Sequence, residues 1–210
     1  MGVPQLYYFT IRGFGEYIRL FFIDNNIEFE DIHYEYGSKQ WEDVKKTMIF
    51  GQMPCLKIDG KEYVQAGAIM RHLGNVYDLN GSSEDDSFFL DMFSECVRDL
   101  RMKYARFIYR CDETQEEMVN KTLPEFLGKL DTLFKIHPGD LIIGDKISYA
   151  DYFLFEELDA YHVLDAHVLD QFPQLKKFWE MMWQRPNLKA YLEKRKADGV
   201  WINLIEKGMN

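Results

Sequence analysis

Apolar and polar residues follow two different rhythms along this chain, and the change comes near residue 80. Before it, strand-like and helix-like stretches alternate. Residues 5–9 read as a strand. Residues 15–25 carry Ile18, Leu20, Phe21, Phe22 and Ile23, a wide apolar face that predicts a buried helix. Residues 29–34 read as a second strand and residues 41–48 as a short polar helix. Cys55-Leu56-Lys57-Ile58 alternates as a third strand, with Pro54 at its first position, one of the few places a strand tolerates proline. Asp59-Gly60 is the strongest short hairpin signal. The Met53-Pro54 bond is of the type in which a cis peptide costs little. A third helix is expected over residues 68–77. The order βαβ followed by αββα predicts a layered α/β domain with a crossover.

Leu79-Asn80-Gly81-Ser82-Ser83 is turn-rich, and beyond it the strand signals vanish. Long helical patterns cover residues 86–110 and 114–136, with Pro124 expected to kink the second or mark a soft point. His137-Pro138-Gly139-Asp140 breaks them. Ser148-Tyr149-Ala150-Asp151 has the spacing of a capping box and opens a helix to about residue 163. Shorter helices are expected over 174–184 and 187–194, then a tail with Trp201 and Ile202. The expected division is an α/β domain over residues 1–79 and an all-α domain over residues 80–210.

Composition narrows the function classes. Hydrophobic content of 47% and aromatic content of 16% are ample for a packed core. A net charge of -10 argues against nucleic acid or an anionic membrane as partner. Cys55, Cys96 and Cys111 are odd in number and far apart, so neither a disulfide framework nor a zinc site is indicated. The five histidines show no metal spacing, and His72, His162 and His167 read as helix residues. No metal is expected. No signal peptide and no membrane-spanning run is visible, so a cytoplasmic location is expected. The sequons at Asn80 and Asn120 read as unused.

One stretch carries the chemistry: Phe-Gly-Gln-Met-Pro-Cys-Leu-Lys-Ile-Asp-Gly-Lys-Glu-Tyr-Val-Gln-Ala-Gly-Ala, residues 50–68. Upstream, Tyr7-Tyr8-Phe9-Thr10-Ile11-Arg12-Gly13 ends a strand in a glycine turn. This pattern resembles the thioredoxin-like half of the cytosolic glutathione transferases. The later half is similar too. Val97-Arg98-Asp99-Leu100-Arg101-Met102-Lys103-Tyr104 with Ile108-Tyr109 resembles the fourth helix of the pi class. Ile142-Ile143-Gly144-Asp145 with Ser148-Tyr149-Ala150-Asp151 resembles the family's buried capping motif. Trp41-Glu42-Asp43-Val44-Lys45 looks more like the sigma and mu classes, so the resemblance favours a pi-like enzyme with a mixed signature and does not fix the class. The resemblance implies a thioredoxin-like N-terminal domain followed by an all-α C-terminal domain. It also implies detoxifying conjugation of glutathione, a co-substrate and not a cofactor, to hydrophobic electrophiles.

The implied chemistry is physically intelligible. A thiol of pKa about 8.5 is only a few per cent thiolate at neutral pH. Ionising most of it takes a shift of about two units, or roughly 2.7 kcal/mol of preferential anion stabilisation. A neutral hydroxyl donating to the thiolate supplies about 1.5–3 kcal/mol, and a helix N-terminus adds a smaller electrostatic contribution. Tyr8 aligns with the family's thiol-activating tyrosine; Tyr7 would alternate to the other sheet face. By resemblance, Trp41 and Lys45 would hold the glycyl carboxylate. Gln52 and the backbone of Met53, before Pro54, would pair with the peptide as an added strand. Gln65 and Ala66 would receive the γ-glutamyl carboxylate on backbone N–H groups. Asp99 would reach the γ-glutamyl amine from a partner subunit.

Two positions depart from the pattern. Ala66 stands where the family usually has serine, and loss of that hydroxyl should weaken glutathione binding by about 1.5–3 kcal/mol. Phe14 stands where the pi and sigma classes usually have arginine near the thiol. Phe9, Ile11, Phe14, Tyr104 and Tyr109 are expected to line an apolar electrophile pocket, with Trp201 as a candidate lid. Phe50 would insert into a partner subunit at a socket lined by Met92 and Phe93, which predicts a homodimer. Two other readings stay open: a ligandin-like carrier of apolar molecules with weak catalysis, and a sigma-like glutathione-dependent prostaglandin isomerase.

Overall fold

The structure, a computed structural model, describes residues 2–204. Compact packing divides them into two units, one formed by residues up to Leu73 together with Arg185–Leu204, the other by Gly74–Gln184.

The first unit is built on a four-stranded sheet in the order β2-β1-β3-β4. β1 (Gln5–Phe9) runs parallel to β2 (Glu30–Tyr34) and antiparallel to β3 (Cys55–Ile58). The β3–β4 hairpin (β4, Lys61–Val64) turns on Asp59 and Gly60, both with positive φ, as a tight two-residue hairpin requires. α1 (Glu16–Asp24) buries Ile18, Leu20, Phe21 and Phe22 completely. It packs with α9 (Pro186–Ala197). The other side of the sheet carries Trp41, Met48 and Cys55, with Tyr7, Phe9, Tyr34 and Met53 packed against them. Trp41 comes from α2 (Lys39–Val44), capped by the Ser38 hydroxyl accepting from the Trp41 N–H at 3.1 Å. The expected helix over 41–48 therefore starts two residues earlier and ends as a 3₁₀ turn at Lys45–Thr47. α3 (Ala66–Val76) follows the hairpin.

The second unit is helical: α4 (Glu84–Arg110), α5 (Gln115–Glu117), α6 (Leu123–Phe134), α7 (Tyr149–Leu164) and α8 (Pro173–Trp183). α4 packs on α6 and α7, and Phe93, Phe134 and Phe178 stack edge-on through the interior. The soft point expected at Pro124 appears as a π-helical turn, Met118–Thr122, immediately before it. A proline lacks the N–H that would continue the ladder, and the widened turn absorbs that loss. The capping box at Ser148 forms as its spacing predicts. The Asp151 carboxylate accepts from the Ser148 N–H (2.8 Å), the Ser148 hydroxyl (2.6 Å) and the Ile142 N–H (3.1 Å).

Candidate active site

Tyr8 ends up enclosed. It lies on β1 with 4% of its surface exposed, on the opposite face from Tyr7, whose ring stacks on Tyr34 and lies under the Lys57 ammonium. The Tyr8 hydroxyl accepts from the backbone N–H of Phe14 at 2.8 Å. That amide belongs to the one-turn 3₁₀ helix Gly13–Gly15, which leads directly into α1. The approach needs glycine on both sides of Phe14. A Cβ on Gly13 would sit 2.4 Å from the Tyr8 hydroxyl oxygen, and one on Gly15 2.4 Å from the ring. Gly13 also has a φ of +45°. The Arg19 guanidinium lies 5.6 Å from the centre of the Tyr8 ring.

Under this corner lies a buried charge network. Glu16, 1% exposed, accepts from Arg195 and Tyr191 at 2.7 Å each and from Arg19 at 3.2 Å. Arg19 also donates to Asp31 at 2.7 Å and to the carbonyls of Ile11 and Phe9. Burial alone would raise the pKa of Glu16, but the guanidiniums of Arg195, Arg19 and Arg12 outweigh it and hold the carboxyl below its ordinary value. Burial likewise opposes charge on Arg19, and Glu16 and Asp31 more than offset it. The network ties the carbonyls of Phe9, at the end of β1, and of Ile11, just beyond it, to the start of α1.

The remaining expected glutathione contacts of this unit lie on a more open edge. Trp41 is buried, with Phe9 edge-on to it at 5.3 Å. The Lys45 ammonium is 5.7 Å from the centre of the Trp41 ring and pairs with Glu42 at 2.7 Å. Gln52 is exposed, Met53 half-buried and Pro54 buried, and the Met53-Pro54 peptide is cis. Gln65 is exposed with a φ of +70°, a conformation that costs a non-glycine residue about 1–2 kcal/mol. Its carbonyl accepts from the Ile69 N–H at 2.9 Å, opening α3 with Ala66 as first residue, half-buried.

Ile11 is buried, and half-buried Phe14 has its ring near that of Tyr17. The aromatic neighbours of Phe9 are Tyr8, Tyr36 and Trp41. In the helical unit, Asp99 is exposed on α4. Tyr104 is buried edge-on to Tyr161, with the Arg101 guanidinium 5.6 Å from its ring centre. Tyr161 donates to the buried Glu157 carboxylate at 2.7 Å. Tyr109 is largely exposed.

Cys55 and Cys96 are both placed where a thiolate is disfavoured. Burial, and then the nearby Glu62 carboxylate, push the Cys55 thiol up to about 12. Burial, then Asp99 and Glu95, also raise that of Cys96. Among the described residues no group of three His, Cys, Asp or Glu could hold a metal ion, and no helix is long and apolar enough to cross a membrane.

Two expectations need correction. Phe93 cannot line a socket for a partner: it is completely buried, ring-on-ring with Phe89 and Phe134. The most exposed aromatic of α4 is Phe88, 71% accessible, with Met92 half-buried. His167 lies in the turn after α7, where it pairs with Asp170 at 2.9 Å. Phe50 is exposed, at 58%. Sequence reasoning read Gly13 only as a turn and missed Gly15 and the Glu16–Arg195 pair. The two glycines flanking Phe14 were a readable sign of close backbone approach. The ion pair spans 179 residues, and no local pattern announces it.

Comparison with known proteins completes this picture. The family model "Glutathione S-transferase, N-terminal domain" matches residues 4–75, and "Glutathione S-transferase, C-terminal domain" matches residues 98–195. The chain is 70% identical over 210 residues, all of both chains, to glutathione S-transferase P 10 of Caenorhabditis elegans. It is 46% identical to glutathione S-transferase 2 of Onchocerca volvulus over 202 residues, 95% of this chain and 96% of the other. The solved structure of the Onchocerca volvulus Pi-class glutathione S-transferase superposes with a TM-score of 0.92 at 46% identity, covering 96% of this chain and 98% of that one. Shared over its whole length with pi-type relatives, the chain belongs to the glutathione S-transferase family.

Proposed function

We propose that this protein is a pi-type glutathione transferase that ionises the thiol of glutathione beside Tyr8 and adds the thiolate to hydrophobic electrophiles. The observation that carries the reading is the Tyr8 hydroxyl accepting from the Phe14 N–H at 2.8 Å. A hydroxyl whose oxygen accepts a bond becomes a stronger donor through its own hydrogen. A strong neutral donor is what a thiolate needs to persist at neutral pH. The thiols of Cys55 and Cys96 are pushed up, so neither competes with the sulfur of glutathione.

In this reading residues 1–79 hold glutathione and residues 80–210 contribute to electrophile binding. Trp41 and Lys45 take the glycyl carboxylate, the ammonium exchanging its Glu42 partner for the ligand. Gln52 and Met53, ahead of Pro54, pair with the tripeptide backbone. Gln65 and Ala66 present the opening amides of α3 to the γ-glutamyl carboxylate. Phe9, Ile11 and Phe14 give the electrophile apolar and aromatic surface beside Tyr8, which favours hydrophobic substrates. The protein works in the cytosol as a homodimer. Exposed Phe50 is the residue that needs a partner surface, and Asp99 reaches the γ-glutamyl amine of the partner's glutathione.

The test is steady-state conjugation of glutathione to a chlorinated nitrobenzene by the native protein and by Tyr8→Phe. Turnover that falls at least about tenfold in the variant, about 1.4 kcal/mol of transition-state stabilisation, is expected. Absence of turnover with retained binding of hydrophobic dyes would replace this reading with that of a ligand carrier.

A further inference from the structure

The turn that touches Tyr8 is itself held by the far end of the chain. The N–H groups of Arg12 and Gly13 donate to the carbonyls of Trp201 and Ile202 at 2.8 and 3.0 Å. The next amide, that of Phe14, donates to the Tyr8 hydroxyl. Three consecutive amides are thus divided between the C-terminal segment and the hydroxyl. The segment is anchored in turn. Ile202 and Asn203 are buried, while 53% of Trp201 is exposed. The Val200 N–H returns to the Arg195 carbonyl at 3.2 Å, and the Arg195 side chain reaches Glu16. The Glu16 N–H donates to the Arg12 carbonyl at 3.0 Å, which closes the circuit.

We propose that the backbone of Trp201–Ile202 is a positioning element for Tyr8, which sets through the Phe14 N–H how strongly the hydroxyl stabilises a bound thiolate. The physical argument is preorganisation. A donor aimed at a developing charge is effective in proportion to how little it must reorganise, and the Phe14 amide polarises the hydroxyl only while the turn holds it on the oxygen. Local bonds from Arg19 to the Ile11 carbonyl and from the Glu16 N–H to the Arg12 carbonyl hold the ends of the turn, and its glycines add little. Gly13 adopts a left-handed φ, and neither Gly13 nor Gly15 has a side chain with which to pack. The two tail carbonyls fix the strand-to-helix crossing from outside. The C-terminal segment therefore acts on the chemistry through its main chain, in addition to any covering role of the Trp201 ring.

The inference rests on the reading of Tyr8 as thiol activator, and the experiment separates the two. The pH dependence of kcat/KM and the ultraviolet thiolate band of bound glutathione are measured for the full chain, for chains ending at Leu204 and at Val200, and for Tyr8→Phe. The chain ending at Val200 is expected to show a raised apparent thiol pKa. Its kcat/KM at neutral pH should be about three- to tenfold lower, the range that loss of one neutral hydrogen bond gives. The deficit should shrink as pH rises, while the chain ending at Leu204 titrates like the full chain. An unshifted profile in the Val200 chain, or an equal shift in the Leu204 chain, overturns the proposal. Should the Val200 chain fail to fold, Phe14→Pro removes the same donor and Phe14→Ala controls for the ring. A pKa rise in the proline variant beyond that in the alanine variant supports the proposal, and equal values overturn it. If Tyr8→Phe itself leaves the thiol pKa unmoved, the functional reading fails first.

Discussion

Tyr8 and the edge expected to bind the tripeptide lie in one compact unit, yet they are built in opposite ways. Tyr8 is closed in by Gly13 and Gly15, fixed by a backbone amide and underlain by buried charges. Gln52 and Gln65 stand in solvent, and the Lys45 ammonium rests on Trp41 and Glu42. The contrast matches the roles proposed for each part. Stabilising a thiolate depends on a donor already in place when the charge forms. Gripping a flexible peptide with two carboxylates needs groups that a ligand can recruit on arrival. Damage to the closed corner should therefore lower kcat and stability together, and changes on the open edge should move glutathione affinity alone.

The largest expected effect comes from removing the charge under the closed corner. Glu16→Gln leaves Arg195 without its buried counter-ion and Arg19 with Asp31 alone, and losing one partner of such a network costs about 3–5 kcal/mol. Denaturant unfolding at neutral pH would measure it. The pH dependence sharpens the test. The folded-state pKa of Glu16 lies below 4.5, so its contribution is present above that value and lost as pH falls through the folded pKa. The gap between the native protein and the variant should thus be full at neutral pH and narrow on acidification below about 4.5. A gap independent of pH would mean that the amide costs packing, not charge.

Next comes Gly15→Ala. Its methyl would stand 2.4 Å from a Tyr8 ring carbon, so either ring or turn must move. Overpacking of this kind costs about 1–3 kcal/mol. The functional signature is a fall in kcat with the KM for glutathione nearly unchanged. A variant that loses stability but keeps kcat would show that Tyr8 does not need its enclosure, and the contrast between corner and edge would collapse.

How far the sequence disclosed these regions follows the same line. β1, the Asp59-Gly60 hairpin and the Ser148–Asp151 capping box were readable because short residue spacings determine them, whereas the Met53-Pro54 sequence only allowed the cis peptide. The helix bounds moved by one or two residues at most ends, where caps and 3₁₀ turns decide. What stayed hidden depends on distant partners. Nothing near Glu16 announces Arg195, and nothing near Arg12 announces Trp201. Phe93 failed as an interface residue for a related reason. On α4 it reads as one more apolar position beside Phe88, and only the packing of Phe89 and Phe134 tells the two apart. The roles expected of Gln52, Lys45 and Gln65 rest on the family pattern and not on any property of the residues alone.

The smallest effect sits on the open edge and has the opposite sign. Ala66 opens α3, directly after Gln65 with its positive φ. The amides of that first turn already offer a carboxylate donors and the favourable end of the helix dipole. A hydroxyl at this position would add one bond to a group that is already partly satisfied, so the gain should be near the net worth of an ordinary hydrogen bond and below that of a lone charge-assisted one. Ala66→Ser is accordingly expected to tighten glutathione binding about fivefold, close to 1 kcal/mol, with kcat unchanged, by calorimetric titration at neutral pH. A gain in kcat would couple this edge to the thiol and contradict the separation. No gain in affinity would mean that the backbone of α3 alone satisfies the γ-glutamyl carboxylate, and that the missing serine costs this protein nothing.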